Sequence, residues 1–190
     1  MFTTARCNNL GEIGDTFSLI ELAEARIEPE TSSSSPSRQL LAWMREDCLR
    51  ASVVAHGFEV VQSIFPRWQF SAHDAVAAFG LHGALLIEPP HRIGTHAEKW
   101  SRTLCTFEID LKRNGTVVDH GCATNVLGGP VSALRYLIDM LARDQVNPPL
   151  AAGEIVTTGT LTRALPVSAG ETWTTELTGV GLHGVCVRFA

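Results

Sequence analysis

The sequence contains no apolar run approaching the length of a membrane span. It also has no stripe of basic residues. With a net charge of −5 and a pI of about 5.8, nucleic acid and membrane are not expected as partners. Met1 to Gly14 lacks a basic segment followed by an apolar one, so it does not read as a signal peptide. No C-x-x-C pair occurs among Cys7, Cys48, Cys105, Cys122 and Cys186. Scattered cysteines of odd number predict free thiols in a reducing cytosol, not a disulfide frame or a zinc knuckle. H-E-x-x-H is missing. Ser132 and Ser168 lack a G-x-S-x-G elbow, and Gly128-Gly129-Pro130 is followed by no Gly-Lys-Ser/Thr, which excludes a phosphate loop.

What is present fits one globular domain. The chain has 190 residues, of which 45% are apolar, enough for a sizeable core. Arg26 to Glu30 reads as a short strand, and Thr31 to Ser37 (TSSSSPS) as a flexible polar loop. Gln39 to Ala51 has helical spacing in Leu40, Leu41, Met44 and Leu49. Phe58 to Phe65 is β-branched and aromatic and predicts a strand. Ala72 to Phe79 is ambiguous, and Gly83 to Ile87 is a short buried strand before Pro89-Pro90. His91 to Trp100 reads as an exposed loop, and Thr103 to Leu111 as a strand. Asn114-Gly115 joins that strand to 116–119, the signature of a hairpin whose turn needs positive φ at both central residues. Leu134, Leu137, Ile138 and Leu141 form one apolar stripe, predicting a helix over Val131 to Arg143 that Asn147-Pro148-Pro149 stops. Strands are predicted again at 154–162, 171–178 and 184–189. Many strands with few helices predict an α+β domain with a folded or rolled mixed sheet.

Chemistry is suggested first by Glu28-Pro29-Glu30. On a strand, side chains alternate, so both carboxylates point to one face. Pro29 cannot donate to a ladder, which predicts an edge or a bulge. Carboxylates held so close repel unless a proton or cation lies between them, and a hard ion such as Mg²⁺ takes oxygen ligands. A solvated edge with two charges is the alternative. Glu59 lies between apolar Phe58 and Val60, so it either faces solvent or serves a site, because an unpaired buried carboxylate is costly. Joined to Glu28 and Glu30, it would complete an oxygen-rich metal pocket.

The same segments resemble the 2-keto-4-pentenoate hydratase branch of the fumarylacetoacetate hydrolase superfamily, which also contains the oxalocrotonate decarboxylases. Arg26 to Glu30 is similar to the R-I-E-x-E segment, and Phe58 to Ser63 to the E-V-V-x-S strand that follows. Asp74 to Ala77 resembles D-T-V-A, and His82 to Ile87 leads into the next strand. Asn125 to Leu134 resembles V-L-G-x-P-x-x-A, Gly153 to Leu161 resembles G-D-I-I-x-T-G-x-L, and Val167 to Trp173 resembles V-x-x-G-D. The order is kept from Arg26 to the C-terminus.

The resemblance implies the rolled mixed β-sheet of the fumarylacetoacetase C-terminal-like type, with a few flanking helices. Residues 26–190 would form the catalytic domain, after a remnant segment 1–25. It implies divalent metal ligation by Glu28, Glu30 and Glu59, with Mg²⁺ favoured and Mn²⁺ possible as the ion. Gly159 and Thr160 would offer an N–H and a hydroxyl to a substrate carboxylate, and Gln62 is a further substrate-binding candidate. Asp74 and His82 are the candidates for proton transfer. Each has a plainer reading: Gly159 a bulge, Thr160 a strand former, Gln62 and Asp74 surface residues, His82 a satisfied core histidine.

The implied activity is metal-dependent hydration of a 2-hydroxy-2,4-dienoate to a 4-hydroxy-2-oxo acid, in aromatic-compound catabolism. The partner would be a small 2-oxo acid, and the assembly a cytoplasmic homo-oligomer. Alternatives are a decarboxylase or C–C hydrolase on the same scaffold, or a truncated non-catalytic subunit. Two departures favour the last of these. Members of the branch have a longer N-terminal region with a lysine in a G-x-K-x-G-like motif, whereas Lys99 and Lys112 lie in no such motif. The family strand also stays apolar after the second glutamate, where this chain has Thr31-Ser32-Ser33-Ser34-Ser35. That run is expected to weaken the strand positioning Glu30.

Overall fold

The structure, a computed structural model, describes residues 7–9, 16–34 and 53–190. The helix expected over Gln39 to Ala51, and residues 35–37 of the serine run, lie outside them.

The domain is built on β3 (Arg26–Ser34) and β4 (Val53–Val61), which pair antiparallel along their whole length, from Arg26 opposite Val61 to Ser34 opposite Val53. β5 (His82–Ile87) pairs antiparallel with β4, and β1 (Cys7–Asn9) adds parallel to β5. β6 (His91–Arg92) extends the sheet beside the start of β4. On its other side β3 pairs with β9 (Ile155–Thr160) through residues 30–34 and with β10 (Leu165–Pro166) through residues 26–27. Pro29 falls between these two partners, where no ladder donor is required of it, and its carbonyl accepts from the Leu161 N–H at 2.9 Å.

A second sheet runs in the order β2 (Thr16–Phe17), β12 (Cys186–Phe189), β11 (Thr172–Thr178), β7 (Glu108–Arg113), β8 (Thr116–Cys122). Its β2–β12 pair is parallel and the others antiparallel. Asn114 (φ 50°) and Gly115 (φ 79°) make the β7–β8 turn with the positive angles expected of the Asn-Gly pair.

The two sheets bury their apolar faces on each other. Ile27, Phe58, Val60, Ala84 and Leu86 of the first pack with Leu111, Trp173, Val187 and Phe189 of the second and with Val185 just before β12. Alternation then sends Glu28, Glu30 and Glu59 to the opposite face of the first sheet. The longest described helix, α3 (Pro130–Arg143), lays Leu134, Leu137, Ile138 and Leu141 against Leu150 and Val156. Mixed sheets with few helices make this an α+β fold, as the sequence predicted.

Several sequence expectations require correction. Residues 31–34 are not a loop: Thr31-Ser32-Ser33-Ser34 continues β3, paired with β4 throughout and with β9 from Ser32, with Thr31 and Ser32 buried. Cross-strand partners override the weak strand propensity of serine. His91 to Trp100 is not simply an exposed loop. It holds β6, a 3-10 turn (Gly94–His96) and the start of α2 (Ala97–Thr103), because Ile93 and Ala97 enter a core cluster with Val54 and Phe107. The strand expected from Thr103 begins only at Glu108. The ambiguous stretch forms a short helix, α1 (Ala72–Ala77).

Thr31 lies fully buried on the core face of β3, opposite His56, and its hydroxyl has no partner among the described residues. A buried unsatisfied hydroxyl costs about 1–3 kcal/mol. Thr31→Val keeps the shape and removes that cost. Its urea midpoint is expected to rise, at unchanged slope, by about 1 kcal/mol of stability. A midpoint equal to or below that of the wild type would show that the hydroxyl is satisfied.

Candidate metal site

Two adjacent strands bring three carboxylates together. Glu28 stands directly opposite Glu59 across the β3–β4 ladder, and Glu30 follows Glu28 on the same face. One carboxylate oxygen from each lies within 4.8 Å of the others. Glu30 is 2% exposed, and the other two are half-buried.

Two of the three carboxylates, Glu30 and Glu59, are oriented by neighbours. Opposite Thr31, β9 has one residue too many, so the β3–β9 register shifts between Glu30 and Ser32. At this bulge Gly159 has φ 113°, a conformation open to glycine and strained for other residues. Its N–H turns out of the ladder and donates to Glu30 Oε2 at 2.8 Å. The Thr158 hydroxyl donates to the Thr31 carbonyl at 3.0 Å, fixing the bulge. Glu59 Oε1 meets His82 Nδ1 at 2.7 Å, and the Thr157 hydroxyl approaches Glu59 Oε2 at 3.5 Å. His82 Nε2 is buried and has no partner among the described residues.

The electrostatics follow from this crowding. Burial pushes the Glu28 carboxyl up to about 7; the charge of Glu59 adds to the rise, and Arg26 opposes it. Glu30 is raised well above the usual carboxylate range, first by burial and then by Glu59, while the Gly159 N–H works the other way. Close carboxylates of this kind need a proton or a cation between them. An all-oxygen donor set with strong negative charge suits a hard divalent ion, so the residues present fit one.

The remaining candidates separate. His82 joins the cluster through Glu59, and Gly159 through Glu30. Thr160 lies beside Glu30 in register, but its hydroxyl donates to the Thr162 carbonyl at 3.0 Å. The Gln62 side-chain oxygen accepts from the Ala23 N–H at 3.2 Å, bracing the turn before β3. Asp74 sits in the capping box of α1, where its carboxylate accepts from the Ser71 N–H (2.9 Å) and hydroxyl (2.8 Å). Those bonds hold its pKa below the usual carboxylate range, so the structure gives Asp74 a helix-capping role. Sequence reasoning missed Thr157 and His56. Strand alternation and the family-like Gly153–Leu161 segment offered a signal for the first. For the second the signal was a histidine at the same parity as Phe58 and Val60 in an apolar strand.

Glu28 supplies a pH test. An unfolded chain releases its proton near 4.5, whereas the folded site keeps it until about 7. The folded state therefore binds more protons in that window, and metal-free stability from this group falls as pH rises from 4.5 through 7. His56 works in the opposite sense: burial pushes its ring down to about 4, so it costs stability as pH drops below 6.5. The readout is thus the difference between wild type and Glu28→Gln, followed by thermal unfolding in a chelator. Wild type is expected to lose stability relative to the variant as pH rises from 5 to about 7.5, and added Mg²⁺ to reverse the loss. A pH-independent difference would contradict the placement of Glu28.

No protein-family profile matches the sequence. The chain is 29% identical over 138 residues to a 2-hydroxyhexa-2,4-dienoate hydratase of Comamonas testosteroni, covering 72% of this chain and 50% of that protein. It is 37% identical over 130 residues to a 2-keto-4-pentenoate hydratase of Paraburkholderia phymatum, covering 65% and 44%. The chain thus spans about half the length of these hydratases. Among solved structures it superposes on a 4-oxalocrotonate decarboxylase of Pseudomonas putida G7, complexed with magnesium and adipate, with TM-score 0.77 at 24% identity. That match covers 98% of this chain and 66% of the other. A fumarylacetoacetate hydrolase family protein from yeast gives TM-score 0.59 at 14% identity, over 92% and 70%. With the ordered motifs and the sheet that carries them, the chain belongs to the fumarylacetoacetate hydrolase superfamily, on the branch of the 2-keto-4-pentenoate hydratases and 4-oxalocrotonate decarboxylases.

Proposed function

We propose that the protein is a metal-dependent hydratase, converting a 2-hydroxy-2,4-dienoate and water into a 4-hydroxy-2-oxo acid, as in the breakdown of aromatic compounds. The observation that supports this reading is the convergence of Glu28, Glu30 and Glu59 within 4.8 Å, in a chain similar to hydratases. These three residues would hold the divalent ion, Mg²⁺ or Mn²⁺. When bound, the ion supplies Lewis-acid stabilisation of negative charge on the substrate's 2-oxygen.

The chain's own residues do the rest. Gly159 keeps Glu30 aimed into the site. His82 donates from Nδ1 to Glu59, which leaves Nε2 as the proton-accepting face. Nε2 is buried without a partner among the described residues, so a substrate oxygen arriving there would satisfy it. In the proposed reaction Nε2 takes the proton of the 2-hydroxyl while solvent supplies a proton to C5; when water's oxygen then bonds to C4 and sheds a proton to solvent, Nε2 returns its proton to C3. Asp74, committed to its helix cap, is left out of this relay.

Purified protein with Mg²⁺ is expected to hydrate 2-hydroxypenta-2,4-dienoate, to lose that activity in a chelator, and to regain it with Mg²⁺ or Mn²⁺. Release of CO₂ from 4-oxalocrotonate, or cleavage of an acylpyruvate, without hydration would assign a different reaction to the same site. Glu28→Gln is expected to weaken metal binding about tenfold or more, a change of about 1.4 kcal/mol; equal affinity would remove Glu28 from the ligand set. His82→Gln, assayed at saturating Mg²⁺ because His82 also contacts the ligand Glu59, is expected to lower kcat about a hundredfold, the low end for general acid–base catalysis. A variant with undiminished kcat would exclude His82 from proton transfer.

A further inference from the structure

Behind the glutamates, on the core side of the sheet, a buried histidine joins the candidate site to the second sheet. His56 lies in β4 opposite Thr31 and is 1% exposed. Its Nδ1 lies 2.9 Å from the backbone carbonyl of Glu30, and its Nε2 lies 2.8 Å from the Thr175 hydroxyl in β11. The Thr175 oxygen in turn accepts from the Val185 N–H at 2.9 Å.

With the ring neutral, as its burial favours, one arrangement of protons satisfies all of these atoms. A carbonyl accepts, so Nδ1 must carry the hydrogen, and Nε2 is then the acceptor. Thr175 therefore donates to Nε2 while accepting from Val185. The result is a directed chain: Val185 N–H to Thr175, Thr175 O–H to His56, His56 N–H to Glu30. It crosses the interior between the sheets and ends on the peptide that bears Glu30.

That peptide lies where the β3–β9 register shifts, so the regular ladder on that side is interrupted beside it. Two other bonds meet there. The Glu30 carboxylate accepts from Gly159, and the Thr31 carbonyl accepts from Thr158. We propose that His56 is a positioning residue for the metal site, holding the Glu30 peptide from the core side so that the carboxylate stays in ligating register with Glu28 and Glu59. This role rests on the reading of the three glutamates as ligands. Partners of metal ligands act in this way generally, and their loss weakens metal binding about 10–100-fold.

The test compares the Mn²⁺ affinity of the full chain, by calorimetric titration, in wild type, His56→Leu and His56→Gln. A glutamine amide can donate to the Glu30 carbonyl and accept from Thr175, whereas leucine fills the space and does neither. Val187→Ala, a truncation in the core away from the glutamates, serves as the control for lost stability. The expected result is about a tenfold or greater weakening in His56→Leu, affinity within about threefold of wild type in His56→Gln, and none of that weakening in Val187→Ala. Equal affinity in wild type and His56→Leu would overturn the positioning role and leave the metal site standing. So would equal weakening in His56→Leu and Val187→Ala, or no recovery in a folded His56→Gln. A folded wild type that binds no Mn²⁺ would overturn the metal reading, and this role with it.

Discussion

Glu28 and Glu59 face each other across two hydrogen-bonded strands, a placement in which like charges destabilise a sheet. Glu30 brings a third carboxylate into the same few ångströms. The arrangement is tolerable in one of two states. Either protons remain on the cluster, the direction in which burial and mutual repulsion push Glu28 and Glu30, or a divalent cation replaces them. Much of the surrounding structure can be understood as what keeps that conflict in place.

The support comes from both faces of the sheet. On the site face, the bulge in β9 turns the Gly159 N–H onto Glu30, and His82 contacts Glu59. On the core face, Ile27, Phe58 and Val60 anchor the same two strands against Trp173 and Val187. His56 reaches through that apolar layer to Thr175. Apolar burial supplies the stability that a charged cluster spends. The narrow alternation of β3 and β4 puts the two kinds of surface back to back.

Much of this was legible in the sequence, for identifiable reasons. The E-x-E spacing, with Pro29 between, predicted two carboxylates on one face. Glu59 in an apolar strand predicted either solvent or a site. The Asn114-Gly115 turn and the α3 stripe were readable because turn chemistry and helical periodicity are local. What failed was non-local. Thr31 to Ser34 looked like part of a loop because the run is polar, yet pairing with β4 and β9 makes these residues strand. The His91–Trp100 segment hid its order because Ile93 and Ala97 pack onto residues distant in sequence. Asp74 resembled a family motif, while its local role was written in Ser71, three residues earlier. His56 could not be assigned without Thr175, 119 residues away.

The central claim is that three glutamates from two neighbouring strands enclose one hard cation. Crystals of the protein soaked in Mn²⁺ and measured at a wavelength where manganese scatters anomalously test it most directly. The account predicts one strong anomalous peak in contact with oxygens of Glu28, Glu30 and Glu59. A peak elsewhere, or none while the three carboxylates remain clustered, would contradict it.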